Sequence, residues 1–228
     1  MKTTGTTGHS RRNLLVMAGC AGLAGCDAPF GLQYSTIKNV LAASVGLEDA
    51  PSITLEQASA VPYSSIGYRI GKSSEGMLIL ASQTGGELLW TSADRIAIMT
   101  RNGRIVKTGG LRWNLFATSF PTPDPLSANS ASATLGGATY RTVDFNDVSR
   151  FAVRVQGQLT PAGPQTISIL GSELSTIALI EQCRADDLDW EFQNLFWIDA
   201  ESGFVWKTVQ FIHPNEPPIT IEVLRPPA

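Results

Sequence analysis

The sequence predicts a mainly β fold, a single domain of antiparallel hairpins led in by two short N-terminal helices. Three observations carry this. From residue 63 onward, apolar residues recur at alternate positions in short runs, the period of a strand with one buried face. Turn formers such as Gly85-Gly86, Asn102-Gly103 and Gly171-Ser172 punctuate those runs. There is no alternation of strand and helix patterns of the kind that builds a parallel sheet, and no internal repeat.

The helices come first. Ser35 to Val45 places Ile37, Val40, Leu41 and Val45 at helical spacing, with Gly46 as a stop. Thr54-Leu55-Glu56-Gln57 has the spacing of a capping box and opens a short helix that Pro62 ends. Strand patterns follow at Tyr63–Ile70, Met77–Ser82 and, after Gly85-Gly86, Glu87–Thr91. Asn102-Gly103 is the strongest local signal, since both residues tolerate the positive φ of a type I′ turn. It joins Arg95–Arg101 to Arg104–Thr108.

Pro121 to Ala138 is rich in Ser, Ala, Thr, Pro and Gly and reads as an exposed loop. Beyond it Phe151, Val153, Val155 and Leu159 alternate with Arg154, Gln156 and Gln158, the pattern of a sheet with one wet face. Ala162-Gly163 is expected to turn this strand into Gln165–Leu170, and Gly171-Ser172 to turn that into Glu173–Ile180. Trp190–Ile198 and Phe204–Ile212 flank a loop at 199–203. Ile219–Leu224 closes the series with Ile219, Ile221 and Val223 on one face, giving about ten short strands.

Composition narrows the function. The 228 residues carry 17 Lys+Arg and 20 Asp+Glu, a net charge of −3, with 16% charged and 43% hydrophobic residues. Such a chain can bury a core, which argues against disorder. It has no basic excess to attract phosphate backbones, which argues against nucleic acid as a partner. Only His9 and His213 are present, so a multi-histidine metal site or a histidine triad is improbable.

Residues 1–25 read as a signal peptide. Arg11-Arg12 supply a positive start, and the apolar run from Leu14 is shorter than the roughly 20 residues of a membrane span. The Arg pair also resembles a twin-arginine signal. The run ends in Leu23-Ala24-Gly25-Cys26, which resembles a bacterial lipobox. Cys26 is then the lipid attachment site and the new N-terminus. No cofactor is expected beyond the diacylglycerol and acyl chain on that cysteine. Residues 26–52 form a lipidated lead-in and 53–228 the β-rich domain. Removing residues 1–25 takes away Lys2, Arg11 and Arg12 and leaves 14 basic against 20 acidic residues. Attachment should therefore rest on the lipid rather than on a polybasic patch. Cys183 is left alone, without an internal disulfide partner, and reads as a small buried hydrophobe.

Candidates for chemistry each have a plainer rival. Asp186-Asp187-Leu188-Asp189-Trp190-Glu191 has carboxylates enough for calcium but not the ligand spacing of a calcium loop, and reads as a solvated turn. Glu181, Glu191 and Asp199 could supply a glycosidase pair only if two of them lie ~5.5 Å or 6.5–9.5 Å apart. His213, before Pro214, reads as an exposed loop residue. Trp197, Asp199, Trp206 and Lys207 combine flat aromatic faces with hydroxyl-bonding groups and form a candidate contact for a glycan or a partner. The rival reading is core packing, because tryptophan buries a large apolar area.

Several ordered motifs resemble a known family. They are Leu89-Trp90-Thr91-Ser92-Ala93-Asp94, the stretch from Thr100 through Asn102-Gly103 to Leu111, Glu181-Gln182-Cys183, Asn194-Leu195-Phe196-Trp197-Ile198-Asp199, Gly203 to Gln210, and the ending Ile221 to Pro226. Together with the lipobox, this set resembles the YjbF/GfcB lipoproteins, associated with exopolysaccharide and group 4 capsule production. The resemblance covers about residues 53–226 and implies coiled or bifurcated β-sheets. It brings no catalytic residues; only Cys26 takes a defined role.

The expected function is a periplasm-facing, non-catalytic accessory lipoprotein of capsule or exopolysaccharide assembly or export. Its expected partners are the membrane, through the lipid, other export proteins, and polysaccharide. The outer membrane's inner leaflet is the expected location, although Asp27 resembles an inner-membrane retention signal. The alternatives are a glycan-modifying enzyme and a glycan-binding module. A carboxylate pair in a cleft favours the first, and an exposed tryptophan shelf the second. A closed surface over buried tryptophans favours a protein–protein role.

Overall fold

A computed structural model describes residues 52–127, 137–145 and 150–227. The expected helix at Ser35–Val45, the leader and Cys26 lie outside the described residues. The second helix is present: α1, Leu55–Ser59, starts at Thr54, whose Oγ1 accepts from the Gln57 amide while Gln57 Oε1 accepts from the Thr54 amide.

The described residues then form one antiparallel sheet. Its strands are β1 (Ser65–Ile70), β2 (Gly76–Thr84), β3 (Glu87–Thr91), β4 (Ala97–Arg101), β5 (Arg104–Gly109), β6 (Ala117–Ser119), β7 (Gly137–Phe145), β8 (Arg150–Ile169), β9 (Ser172–Ala185), β10 (Trp190–Asp199), β11 (Val205–Gln210) and β12 (Ile219–Arg225). They lie in the order β5-β4-β3-β2-β1-β12-β11-β10-β9-β8-β7-β6. Two meanders, β1–β5 and β6–β12, are thus joined where β1 pairs with β12, Tyr68 opposite Ile221.

The sheet curls until its ends nearly meet. Leu115 and Phe116 bridge the gap. The Thr108 amide of β5 donates to the Leu115 carbonyl (2.7 Å), and the Phe116 amide donates to the Asp144 carbonyl of β7 (2.9 Å). Two edges that would otherwise offer unpaired backbone groups are covered in this way. The result is a nearly closed, barrel-like sheet. Its interior is packed by Ile66, Leu78, Trp90, Ile98, Ile105, Phe145 and Val155, among others. The Asn102-Gly103 turn has the expected type I′ signature, with φ of 49° and 79°.

Several expectations are corrected. Ala162-Gly163 is not a turn. The register of β8 against β9 shifts between Pro161 and Gly163, so one strand of 20 residues runs through a bulge. Beyond that bulge the β8–β9 hairpin leans over the outer face of β10–β12, where Ile167 and Ile169 pack with Ile180, Leu195, Trp197 and Val209. Residues of β9 and β10 are therefore buried on both faces, whereas the wet face expected at Arg154, Gln156 and Gln158 is exposed or half-buried opposite buried Val153, Val155 and Leu159.

Strands β6 and β7 lie where the sequence predicted loop or nothing regular, and the Pro121–Ala138 stretch is not simply exposed. Asp124 and Leu126 tuck into the protein. Phe151 is exposed rather than on the buried face, because Ala152, at φ 54°, breaks the alternation before Val153. His213 is 2% exposed. It stacks on Trp113 at 5.2 Å and meets the edge of Phe145 at 4.8 Å, since the Pro-rich turn folds inward.

Candidate functional site

Two polar constellations stand out, one inside the barrel and one on its outer face. The interior one is built on Glu181 of β9. Arg104 Nη1 (2.7 Å) and Asn194 Nδ2 (2.8 Å) donate to its Oε2, and Arg141 Nη1 (2.9 Å) and Thr139 Oγ1 (2.8 Å) donate to its Oε1. Arg104 also forks onto Asp124 through Nε and Nη2 and lies over the Phe196 ring at 5.2 Å. Burial alone would raise the Glu181 pKa. The charges of Arg104 and Arg141, with hydrogen bonds from Arg104 and Asn194, override it and hold the carboxyl well below the usual range. Such a group is an ionised cross-brace at neutral pH, with both oxygens taken up by two donors each. Cys183, beside it, is buried as expected. Burial and the Glu181 charge push its thiol up to about 12.

The outer constellation lines a cleft of about 460 Å³. Gly67, Glu222, Lys207 and Trp197 are successive cross-strand partners on β1, β12, β11 and β10. Lys207 Nζ pairs with Glu222 Oε1 at 2.6 Å and sits 5.7 Å over the Trp197 ring. The Trp197 indole donates to Gln165 Oε1 at 2.8 Å across the cleft. Glu75 occupies the space above Gly67, where a Cβ would stand 2.3 Å from Glu75 Oε1. Its Oε2 accepts from the Ile53 amide at 2.8 Å. Burial, then the Glu222 charge, raise the Glu75 pKa, against the lowering effect of that amide. Next to it Arg69 Nη2 donates to Ser52 Oγ at 2.9 Å.

The four residues singled out from sequence divide between the faces. Lys207 and Trp197 share the outer cleft, with Trp197 only 2% exposed, a floor rather than a shelf. Trp206 points to the opposite face, as its neighbour in a strand must, and lines an interior cavity. Asp199 builds the β10–β11 turn, with Oδ1 accepting from the Ser202 amide and hydroxyl (both 2.7 Å) and the Glu201 amide (3.1 Å). Those Ser202 hydrogen bonds lower its pKa, with smaller help from the Glu201 amide.

A profile of the YjbF family, described as group 4 capsule polysaccharide lipoprotein, matches residues 34–224. The chain belongs to the YjbF family. Two relatives from Escherichia coli K12 match over most of their length. The uncharacterized lipoprotein GfcB is 25% identical over 207 residues, 90% of this chain and 94% of that protein. The uncharacterized lipoprotein YjbF is 23% identical over 210 residues, with the same coverage of 90% and 94%. The crystal structure of the hypothetical lipoprotein YmcC from E. coli K12 superposes with a TM-score of 0.69 at 24% identity, covering 87% of this chain and all of that one. The YjbF-family fold is therefore shared with an experimental structure.

Within this YjbF-family chain, the carboxylates considered as a glycosidase pair do not assemble. Glu181 faces the interior opposite Asn194, and Glu191 lies three positions from Asn194 on the outer side. Asp199 is eight residues beyond Glu191 on one strand, about 26 Å away. The acidic run is a solvated turn, where Arg184 pairs with Asp186 and Glu191, and Arg154 with Asp187. Among the described residues, no three His, Cys, Asp or Glu side chains converge as metal ligands, and no helix is long and apolar enough to cross a membrane. Sequence reasoning missed Arg104, Arg141, Glu75, Arg69 and Glu222. Only Glu222 left a local signal, as the acidic residue between Ile221 and Val223.

Proposed function

We propose that this protein is a non-catalytic lipoprotein that serves capsule or exopolysaccharide assembly and export. The observation that carries the reading is the family match over residues 34–224, since that family is described by its capsule lipoproteins. In this reading residues 1–25 are removed, Cys26 carries the diacylglycerol and acyl chain, residues 26–52 lead away from the membrane, and residues 53–228 form the working domain. The protein faces the periplasm from the inner leaflet of the outer membrane and acts through other export proteins. The outer cleft around Trp197, Lys207 and Glu222 is the surface we assign to a partner or to polysaccharide. The tethered state of Glu181 supports a structural rather than catalytic interior.

Two experiments test this. Cys26→Ala releases the protein from the membrane fraction; a variant that still pellets and resists alkaline wash shows that the lipid is not the anchor. Deleting the gene lowers surface polysaccharide; unchanged output removes the capsule role.

One observation favours a second reading, a glycan-modifying enzyme. Glu75, whose pKa burial raises, and Glu222, paired with Lys207, share the outer cleft, and glycoside hydrolysis uses two carboxyls, one of them an acid with a raised pKa. Glu75→Gln and Glu222→Gln decide between the readings. Folded variants that keep normal polysaccharide output support the accessory role. Loss of a measurable cleavage of the organism's own polysaccharide in either one supports the enzyme.

A further inference from the structure

A second cavity, of about 500 Å³, lies inside the barrel. Its walls are Ile66 of β1, Trp90 of β3, Trp206 of β11, Ile221 and Val223 of β12, and Phe204. This lies well within the size of small-ligand pockets and far above the voids of a close-packed core. The space has a structural origin. Eight strands make a barrel that side chains just fill, whereas this sheet has twelve strands among the described residues. The Arg104–Glu181 cluster fills one part of the surplus, and the cavity is another.

The chemistry of the walls selects the ligand. Two polar side chains deep in the cavity are engaged: Thr100 Oγ1 accepts from the Trp90 indole at 2.9 Å, and Thr208 Oγ1 accepts from Gln210 Nε2 at 3.0 Å, while the Trp206 indole N–H is buried without a hydrogen-bond partner among the described residues. A sugar placed there would lose many hydrogen bonds to water and find one indole donor, Trp206 Nε1, to replace them. The mouth differs. The β2–β3, β4–β5 and β10–β11 turns all lie at one end of the sheet, together with the end of β12, and Asn102 and Ser202 from two of those turns line the cavity with Gln83 and Ser127. The arrangement is a largely apolar chamber that opens at an uncharged, hydrogen-bonding rim.

We propose that this cavity binds the hydrocarbon chain of an amphiphile, an acyl or isoprenoid tail, with the polar head at the Asn102–Ser202 rim. The site is separate from the outer cleft and does not rest on the capsule reading. Trp90 and Trp206 in the wall give a direct readout. The chain from residue 26 onward with Cys26→Ser, which holds every described residue and carries no lipid of its own, is titrated with dibrominated palmitate and, separately, with a brominated farnesol. Saturable quenching of tryptophan fluorescence at one ligand per chain, below the micelle-forming concentration, is the expected result. Quenching by palmitate alone assigns an acyl tail, and quenching by the farnesol alone assigns an isoprenoid tail. Val223→Phe and Ile221→Phe, which narrow the chamber, weaken binding roughly tenfold or more with an unchanged far-ultraviolet circular dichroism spectrum. Should either variant fail to fold, Trp206→Phe serves instead, keeping the stoichiometry in native mass spectrometry while losing part of the quench. No saturable quenching by either probe, or equal affinity in a folded narrowed variant, overturns the proposal.

Discussion

Arg104 of β5 and Glu181 of β9, 77 positions apart in the chain, meet at 2.7 Å inside the barrel with both side chains out of solvent. The pair ties the first meander to the second across the interior, and Arg141 of β7 and Asn194 of β10 close on the same carboxylate. Removing one partner leaves the buried cluster of Arg104, Arg141, Asp124 and Glu181 with an uncompensated charge, which costs about 3–5 kcal/mol. Arg104→Met and Glu181→Leu are each expected to show that loss in urea unfolding, and the double replacement does not restore stability, because Asp124 and Arg141 then lose these partners while buried. Single variants as stable as the parent would mean that the cluster is not fully desolvated in solution.

The same carboxylate makes stability pH-dependent. The folded pKa of Glu181 lies well below the ordinary glutamate value, so its contribution is fully present above about pH 4.5 and is lost as pH falls below that towards the folded pKa. Glu181→Gln should flatten the acid limb of a stability–pH profile. Identical limbs in parent and variant contradict the assignment.

Glu75 has the opposite sign. Its folded pKa is raised, so ionisation costs more in the fold than in the unfolded chain. The penalty appears as pH rises past the unfolded value and is complete above the folded one. Glu75→Gln keeps an acceptor for the Ile53 amide and removes the charge. It should raise the melting temperature at pH 7 and leave it unchanged at pH 3.

Gly103 illustrates two constraints at one position. Its φ is 79°, and a Cβ there would stand 2.5 Å from Val205 Cγ1. Gly103→Val should lower stability by about 1–3 kcal/mol from backbone strain, with the Val205 clash in addition. Adding Val205→Ala should recover the clash but not the strain. Full recovery in the double variant would remove backbone strain from the account.

Cys183 should resist alkylation at pH 8 in the native protein, because little thiolate exists there when the pKa is about 12. It should react at once in urea. Trp197→Ala should cost roughly 3–5 kcal/mol, as for a buried aromatic; a small loss would return Trp197 to the role of an exposed sugar platform.

Much of the fold was legible because its signals are local. The period of two and the Gly85-Gly86, Asn102-Gly103 and Gly171-Ser172 turns each depend on a few neighbouring residues, and they located most of the hairpins. Where legibility failed, a distant contact had overridden a local signal. Gly163 looks like a turn residue yet sits in a bulge, because β9 pairs with β8 on both sides of it. His213 looks like a loop residue yet is buried against Trp113 and Phe145. The outer cleft was half legible: Trp197 and Lys207 drew notice as unusual residue types, but Glu75 and Glu222 carried nothing to mark them as neighbours.

By itself, the sequence determined most of the strand-forming segments, the tight Gly-containing turns and the motifs of the YjbF family, for each is written in side-chain type and short spacing. Only the tertiary structure decided which polar residues are cross-braces and which face solvent. Glu181, Glu191 and Asp199 are alike as letters. Curling a twelve-strand sheet buried the first among two arginines, left the second on the surface and spent the third on a turn. Burial and partner charge govern a carboxylate's protonation and use, and both are properties of strands brought together from far apart in the chain.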